Sequence, residues 1–499
     1  MTDDIRPVPL ERMVTGIAGF DGISGGGLPV GRDTLVVGRP GTGKTVFALQ
    51  FLTEGIRQFG QPGVFVTLGE QPDDLRRNAA SLGFDVASWE RQGSWRFVDA
   101  TPTEDPDVVV GGFDFSGLTT RILEAVRALS ATRVVIDSVS AAFLRFADAG
   151  MVRWALHGLL SALKAAGVTA VLTAEGDDAI TQEYLRISEH ATDTIVRLDY
   201  HPINGRRRRT IEVVKVRGGA HRSGAYPFTI RAPGGITAIP LGGVELSQTV
   251  SDERVSTGNV ALDAICGGGY FRDSVVLVAG ATGSGKSLLA TTFLAEGLAR
   301  GERVLFIGFE ESAGQVERNM RNWSNDIGDA LERGRLELVC RYPESGSIEE
   351  HLVDIIDRMD ALQPHRVVID SLTALERITG EQSFREFVMA MTGLVKQRQI
   401  TGLYTVATTF AGGGHPTEAD ASVLADSIIW LRYLETDASL ARTITVLKMR
   451  GSAHDPWVRW VTIDDHGLHI GDPTDHAGLS GLHQPEAIAR ALDVGPPPS

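Results

Sequence analysis

The stretches GRPGTGKT, at Gly38–Thr45, and GATGSGKS, at Gly280–Ser287, decide the reading of this 499-residue chain. Each fits G-x-x-x-x-G-K-[ST], follows an apolar run (Leu35–Val37; Val275–Val278) and precedes a helix-like stretch (Val46–Phe51; Leu288–Phe293). In that context glycines let backbone N–H groups close around phosphate oxygens, and the following helix aims its positive N-terminus at them. Lys44 and Lys286 add a point charge, and the hydroxyls of Thr45 and Ser287 suit Mg²⁺. The phosphate-binding candidates are therefore Gly41, Thr42, Gly43, Lys44 and Thr45, and Gly283, Ser284, Gly285, Lys286 and Ser287. A glycine-rich strand-to-helix turn with a chance Lys-Thr would account for one copy. Two copies at equivalent places set that reading aside.

The repetition extends well beyond the loops. Lys44 and Lys286 are 242 residues apart, and Gly16 and Gly258, within TGIAGFDGISGGGLP and TGNVALDAICGGGY, keep the same offset. Downstream, RVVIDS recurs at Arg133–Ser138 and Arg366–Ser371, and KVRG at Lys215–Gly218 parallels KMRG at Lys448–Gly451, both 233 apart. Constant order with drifting spacing indicates two copies of one domain that differ by loop insertions. We expect an N-terminal segment 1–11, a first domain 12–244, a polar linker 245–254, a second domain 255–472 and a poorly ordered tail 473–499. Short apolar strands (Leu35–Val37, Val64–Thr67, Val134–Ile136, Thr169–Thr173) alternate with helix-like segments, which predicts an α/β fold with a mainly parallel sheet flanked by helices. The β-rich stretch Thr194–Asp199, Thr210–Val216 and Phe228–Arg231 predicts antiparallel additions at one edge.

A formal charge of −15 disfavours broad binding to DNA or anionic membrane. Two cysteines, Cys266 and Cys340, are too few and too scattered for a metal site or a disulfide framework. MTDDIRPVPL lacks the basic and apolar regions of a signal peptide, and no apolar run approaches a membrane span, so a cytoplasmic location is expected.

A phosphate cradle alone only binds; transfer needs a metal-organising carboxylate and a group that orients or deprotonates the nucleophile. Asp137 and Asp370, each ending an RVVIDS strand, are placed to organise the metal, since strand C-termini line the ligand crevice of such sheets. Alone, either could simply cap the next segment. For the base, VFVTLGEQ offers Gly69 and Glu70 where LFIGFEES offers Glu310 and Glu311, so the two sites are expected to differ chemically. An acid favouring a helix start is the structural alternative. Lys215/Arg217 and Lys448/Arg450 alternate along a strand and project to one face. In a ring they would reach a neighbour's γ-phosphate; otherwise they are exposed edge charge. The run Arg206–Arg209 follows HPING and has no counterpart in the second half; it reads first as solvated hairpin charge, next as a subunit contact and third as a nucleic-acid contact.

These residues, with GFDGISGGGLPVGR, PGVFVTLGEQPDDL, NGRRRRTIEVVKVRG, LDAICGGGYFRDS, RYPES and VLKMRGSAHD, resemble the KaiC family, the double-domain RecA-type ATPases and autokinases of the cyanobacterial clock. The resemblance runs from about Arg12 to about Gly471 and implies two tandem RecA-like P-loop domains in a hexameric double ring with ATP held between subunits. It implies a first ring that is mainly an ATPase and a second that phosphorylates its own hydroxyl side chains. Carried over, Lys44, Thr45, Lys286 and Ser287 bind ATP-Mg²⁺. Glu310 is the general base, supported by Glu311, and also helps hold the metal; Glu70 stands alone in the first ring, where the family has a carboxylate at Gly69. Trp323 matches an aromatic near the nucleotide base. Lys448, Met449, Arg450, Ser452 and His454 match positions that reach the adjoining subunit's nucleotide, as do Lys215, Arg217 and His221. Where the family has a Ser-Thr phosphoacceptor pair, this chain has Ser422 followed by Val423, so a dual-site cycle departs from the pattern; Thr417 matches an additional hydroxyl. Val109–Ile122 resembles the region that engages KaiB, whereas the C-terminal segment departs from the one through which KaiA acts. Two other classes compete: a non-kinase switch whose ATP state controls partner binding, and a DNA-directed RecA relative, which the acidic balance opposes.

Overall fold

The computed structural model describes residues 10–101, 115–143, 149–175, 186, 188–203, 206–239, 251–321, 327–408, 425–435, 440–464 and 467–474. The chain divides into two compact units, Met1–Gly243 and Val244–Ser499. The first is built on nine strands: β1 Asp33–Gly38, β2 Gly63–Thr67, β3 Trp95–Asp99, β4 Arg133–Asp137, β5 Thr169–Ala174, β6 Thr194–Ile203, β7 Arg206–Val216, β8 Ala225–Arg231 and β9 Gly235–Ala238. Their spatial order is β9-β8-β7-β6-β1-β5-β4-β2-β3. The second unit repeats it with β10 Val275–Gly280, β11 Val304–Gly308, β12 Leu336–Cys340, β13 Arg366–Asp370, β14 Thr401–Ala407, β15 Ser427–Glu435, β16 Leu440–Met449, β17 Arg459–Asp464 and β18 Gly467–Pro473. There the order is β18-β17-β16-β15-β10-β14-β13-β11-β12, the same permutation.

The central strands read as continuous apolar runs because both of their faces are covered. Val36, Phe65, Val135 and Val171 pack under α1 (Lys44–Phe59) and α2 (Pro72–Ser81). Their neighbours Leu35, Val64, Val66, Val134 and Leu172 pack under α3 (Phe115–Leu129) and α4 (Ala149–Ala165). This alternation makes three layers. In the second unit α5 (Lys286–Ala299) and α6 (Ala313–Arg321) cover the face that holds Val276, Val278 and Phe306.

The antiparallel additions differ from the expectation in one strand. β6 pairs parallel with β1, and β7, β8 and β9 each pair antiparallel with the strand before; β15 likewise pairs parallel with β10. The reason is positional. In β6, Ile195 is buried on one face and Val196 and Leu198 on the other, beside β1, which suits an inner parallel strand. Arg254, placed by its polar surroundings at the end of the linker, instead pairs with Phe271 and donates to the carbonyls of Cys266 and Gly269. Arg12 makes the matching bonds to Ser24 and Gly27 in the first unit.

Candidate functional site

Both loops close the carboxyl end of the central strand and open a helix with the same backbone. Gly41 and Gly283 have φ of 78° and 77°, and Gly43 and Gly285 have 107° and 108°, a region open to glycine and strained for other residues. A Cβ at Gly43 would come within 2.7 Å of Ile230 on β8, so the antiparallel extension supports the loop from behind. Neither α1 nor α5 has a side-chain N-cap, which leaves their first N–H groups for an anion. Thr42 is buried and donates to the Arg39 carbonyl (2.8 Å), while the buried hydroxyl of its counterpart Ser284 has no hydrogen-bond partner among the described residues. A triphosphate in the loop fits both the uncapped helices and that orphaned hydroxyl.

The lysines point into the loops. Lys44 Nζ donates to the Arg39 carbonyl (3.1 Å), and Lys286 Nζ donates to the carbonyls of Gly280 (2.8 Å) and Ala281 (3.0 Å). Burial pulls the Lys286 ammonium below its ordinary value, opposed by Asp370 and Glu310. Beside each loop lies a strand-end aspartate. Asp137 accepts hydrogen bonds from Thr173 and Thr45, and burial raises its pKa against the pull of those bonds and of Lys44. Asp370 accepts from Thr405 and lines a cavity of about 210 Å³ together with Ser287, Thr291, Glu311 and Asn319.

The carboxylates after β2 and β11 fix the equivalence of the two sites. Asn78 on α2 reaches Glu70 (3.4 Å), and Asn319 on α6 reaches Glu311 (3.1 Å), so Glu70 corresponds to Glu311 and Gly69 to Glu310. Glu310 accepts from the Ser371 hydroxyl (2.8 Å). A Cβ at Gly69 would meet nothing within 4 Å, so the first site has room where the second has its carboxylate. Burial, then Asp137 and Asp74, push Glu70 above its ordinary range.

The K-x-R residues lie elsewhere. Lys215 and Lys448 sit near the carboxyl ends of β7 and β16, and because those strands run antiparallel this is the edge of the sheet opposite the loops. Lys215 donates to the carbonyls of Glu189 and Thr192, and Arg217 pairs with Asp193 (3.0 Å), whose backbone N–H is held by Asp33 at the start of β1. Lys448 donates to the Ala425 carbonyl, and Arg450 lies 3.6 Å from Asp426. Burial and the adjacent arginine lower both lysines. Met449 is core, Ser452 accepts from Arg254 (2.7 Å), and His221 and His454 are half-buried at the same edge. Trp323, Thr417, Ser422, residues 109–114 of the segment compared with the KaiB-engaging region and the tail from 475 lie outside the described residues.

Sequence reasoning missed Asp193 and Asp426, which seat these arginines, and it misjudged Arg209. Arg209 pairs across β6–β7 with Tyr200, and Arg442 pairs across β15–β16 with Tyr433, so the last arginine of the basic run does have a counterpart. Each guanidinium lies over its tyrosine, and Arg442 Nε also reaches the Gly283 carbonyl (3.2 Å). The 233-residue offset that aligned KVRG with KMRG also joins these pairs and would have shown it.

Cys266 is buried and Cys340 half-buried, both as free thiols. Burial, then Glu311, push Cys340 up to about 11. At pH 7.5 its thiolate fraction is then roughly a hundredfold below that of a thiol at 9.0, the ordinary value. Alkylation of Cys340 is expected to be slow at neutral pH and to accelerate as pH rises toward 11; mass spectrometry of iodoacetamide-treated protein measures this.

Two loops of this geometry at the carboxyl edges of identically ordered sheets, each with a strand-end aspartate, define a tandem P-loop ATPase of RecA-like architecture. The model of the family described as "ATPase: KaiC" matches residues 13–242 and again 255–475. The chain is 46% identical over 471 residues to the circadian clock protein KaiC3 of Synechocystis sp., covering 93% of this chain and 92% of that protein. It is 44% identical over 475 residues to the circadian clock oscillator protein KaiC of Parathermosynechococcus lividus (94% and 86% covered). Identity to the KaiC of Synechococcus elongatus is 43% over 469 residues (93% and 89% covered). The chain belongs to the KaiC family, and with it to the ATP-binding, ATP-hydrolysing autokinases. No helix among the described residues is long and apolar enough to cross a membrane.

Proposed function

We propose that the chain is a cytoplasmic timing or signalling ATPase and serine/threonine autokinase. It works as a homohexamer in which each ATP-Mg²⁺ lies between two subunits. The observation that carries this reading is the location of Lys215/Arg217 and Lys448/Arg450. Each pair lies the length of the central strand, about 17 Å, from the loop of its own unit, and so serves a nucleotide on a neighbour. Heterologous contacts of this kind form a ring when the rotation between neighbours closes.

The residues present fit the nucleotide and the ion. Lys44 and Lys286 take the β- and γ-phosphates; the hydroxyls of Thr45 and Ser287 and the carboxylates of Asp137 and Asp370 hold Mg²⁺, with Glu310 alongside. The ion neutralises charge that develops on the phosphate oxygens. Glu310, oriented by Ser371, accepts the proton of an acceptor hydroxyl as its oxygen attacks the γ-phosphorus and ADP leaves; Glu311, held by Asn319, supports it. Ser422 and Thr417 are the proposed acceptors, Trp323 the contact to the base, and a KaiB-like protein the partner of the first unit. In that unit Glu70 works without the carboxylate that Gly69 lacks.

Mixed rings test the arrangement. Lys286→Ala and Arg450→Ala chains should each lose autophosphorylation at Ser422 and Thr417. Rings reassembled from equal amounts should recover about a quarter of the wild-type level, because one interface in four then combines an intact loop with an intact arginine. A mixture no better than its components would mean that the arginine does not act across subunits. Wild-type protein that carries no phosphate after incubation with ATP-Mg²⁺ would favour the non-kinase switch.

A further inference from the structure

The two P-loop lysines are not equally engaged. Lys44 Nζ lies 3.2 Å from Glu175 Oε1, whereas Lys286 has no ion pair among the described residues and bonds to loop carbonyls. Glu175 immediately follows β5, and its backbone is fixed: its N–H donates to the Ser140 hydroxyl (2.7 Å), which in turn donates to its carbonyl (3.3 Å). In the second unit the N–H of Ala407 donates to the Thr373 hydroxyl (2.8 Å), so Ala407 occupies the place of Glu175. The first site therefore has a carboxylate where the second has a methyl group. The side chain of Glu175 is 44% exposed, against 6% for Lys44.

An ammonium has three donors. On Lys44 one goes to the Arg39 carbonyl and the ammonium faces the Glu175 carboxylate; on Lys286 two go to loop carbonyls, and no carboxylate forms an ion pair with it among the described residues. A P-loop lysine serves both the β- and the γ-phosphate. A γ-phosphate brings further negative charge against the Glu175 carboxylate that already neutralises Lys44, whereas a β-phosphate alone brings less; the second site has no such carboxylate.

We propose that Glu175 sets the nucleotide preference of the first site: ATP must displace its carboxylate from Lys44, and ADP need not. This rests on the ATP-binding reading above and adds a residue that makes the two sites unequal. The ion pair is half-exposed, so its displacement changes affinity by a modest factor rather than blocking ATP.

The test is a competition titration of a fluorescent nucleotide with ATP and with ADP, in full-length chains whose other loop is disabled. In a Lys286→Ala background, Glu175→Gln should raise the ATP-over-ADP affinity ratio of the first site by about three- to tenfold. In a Lys44→Ala background, Ala407→Glu should lower that ratio at the second site. If Glu175→Gln tightens ATP and ADP alike, or moves neither, the proposal is overturned, since the carboxylate then does not single out the γ-phosphate. A wild-type chain that binds neither nucleotide would instead overturn the ATP-binding reading, before Glu175 comes into question.

Discussion

Replacing Glu310 with glutamine is expected to cut phosphate incorporation into the chain by about a hundredfold or more while leaving nucleotide affinity within a factor of a few. The substitution is close to isosteric, and its amide oxygen can still accept the hydrogen bond that Ser371 donates to Glu310 Oε1 (2.8 Å). What it removes is the capacity to take a proton from an acceptor hydroxyl. Glu311 does not replace it, because Asn319 on α6 holds that carboxylate in a separate position lining the cavity with Ser287 and Asp370. Incorporation of labelled phosphate from ATP, followed over time, gives the rate. An undiminished rate in Glu310→Gln would place the base elsewhere. The first unit supplies the reciprocal experiment: a Cβ at Gly69 meets nothing within 4 Å, and Gly69→Glu should raise hydrolysis there, by about tenfold if the added carboxylate orients water.

The parts of the molecule that were legible in the sequence are those in which local chemistry and chain position coincide. A loop that wraps phosphate must be written in glycine, and a strand covered on both faces must be written in apolar residues. Leu35–Val37 and Val275–Val278 could therefore be placed beside their loops directly. What escaped depended on register between distant segments. Lys215 and Arg217 looked like candidates for a phosphate contact, but which end of the sheet they occupy follows from the antiparallel pairing of β7 with β6, and pairing is not written in either strand alone. Glu175 escaped for a related reason. The copies of this strand are spaced by 232 residues, from Thr173 to Thr405, rather than the 233 of RVVIDS, so alignment by that motif sets Glu175 against Thr408 instead of Ala407. The correspondence of Gly69 with Glu310 was suggested by the two strand-end phrases; the matching asparagine contacts fix it.

Arg133→Met is expected to destabilise the first unit by about 3–5 kcal/mol, seen as an earlier transition in urea unfolding. Arg133 begins the strand that ends in Asp137 and is among the largest fully buried side chains. Its guanidinium donates to the carbonyls of Val14 (2.7 Å), Phe51 (2.8 Å) and Thr15 (3.4 Å) and to the Gln61 side chain (2.8 Å), and it lies over the ring of Phe51. Burial lowers its pKa to about 10, so the charge itself is held at a cost. A methionine would relieve that cost but leave buried carbonyls unmatched, at about 1–3 kcal/mol each, and the second effect outweighs the first because backbone acceptors cannot be replaced. The second unit repeats the device with Arg366, which bonds the carbonyls of Ser256 and Phe293 and pairs with Glu302. Gly55 and Gly297 make room for it: a Cβ there would lie 2.5 Å from Arg133 and 2.7 Å from Arg366. Gly55→Ala should therefore also destabilise the first unit. If both variants unfold within about 1 kcal/mol of the parent, Arg133 is not what fixes α1, and with it Lys44, against the strand of Asp137.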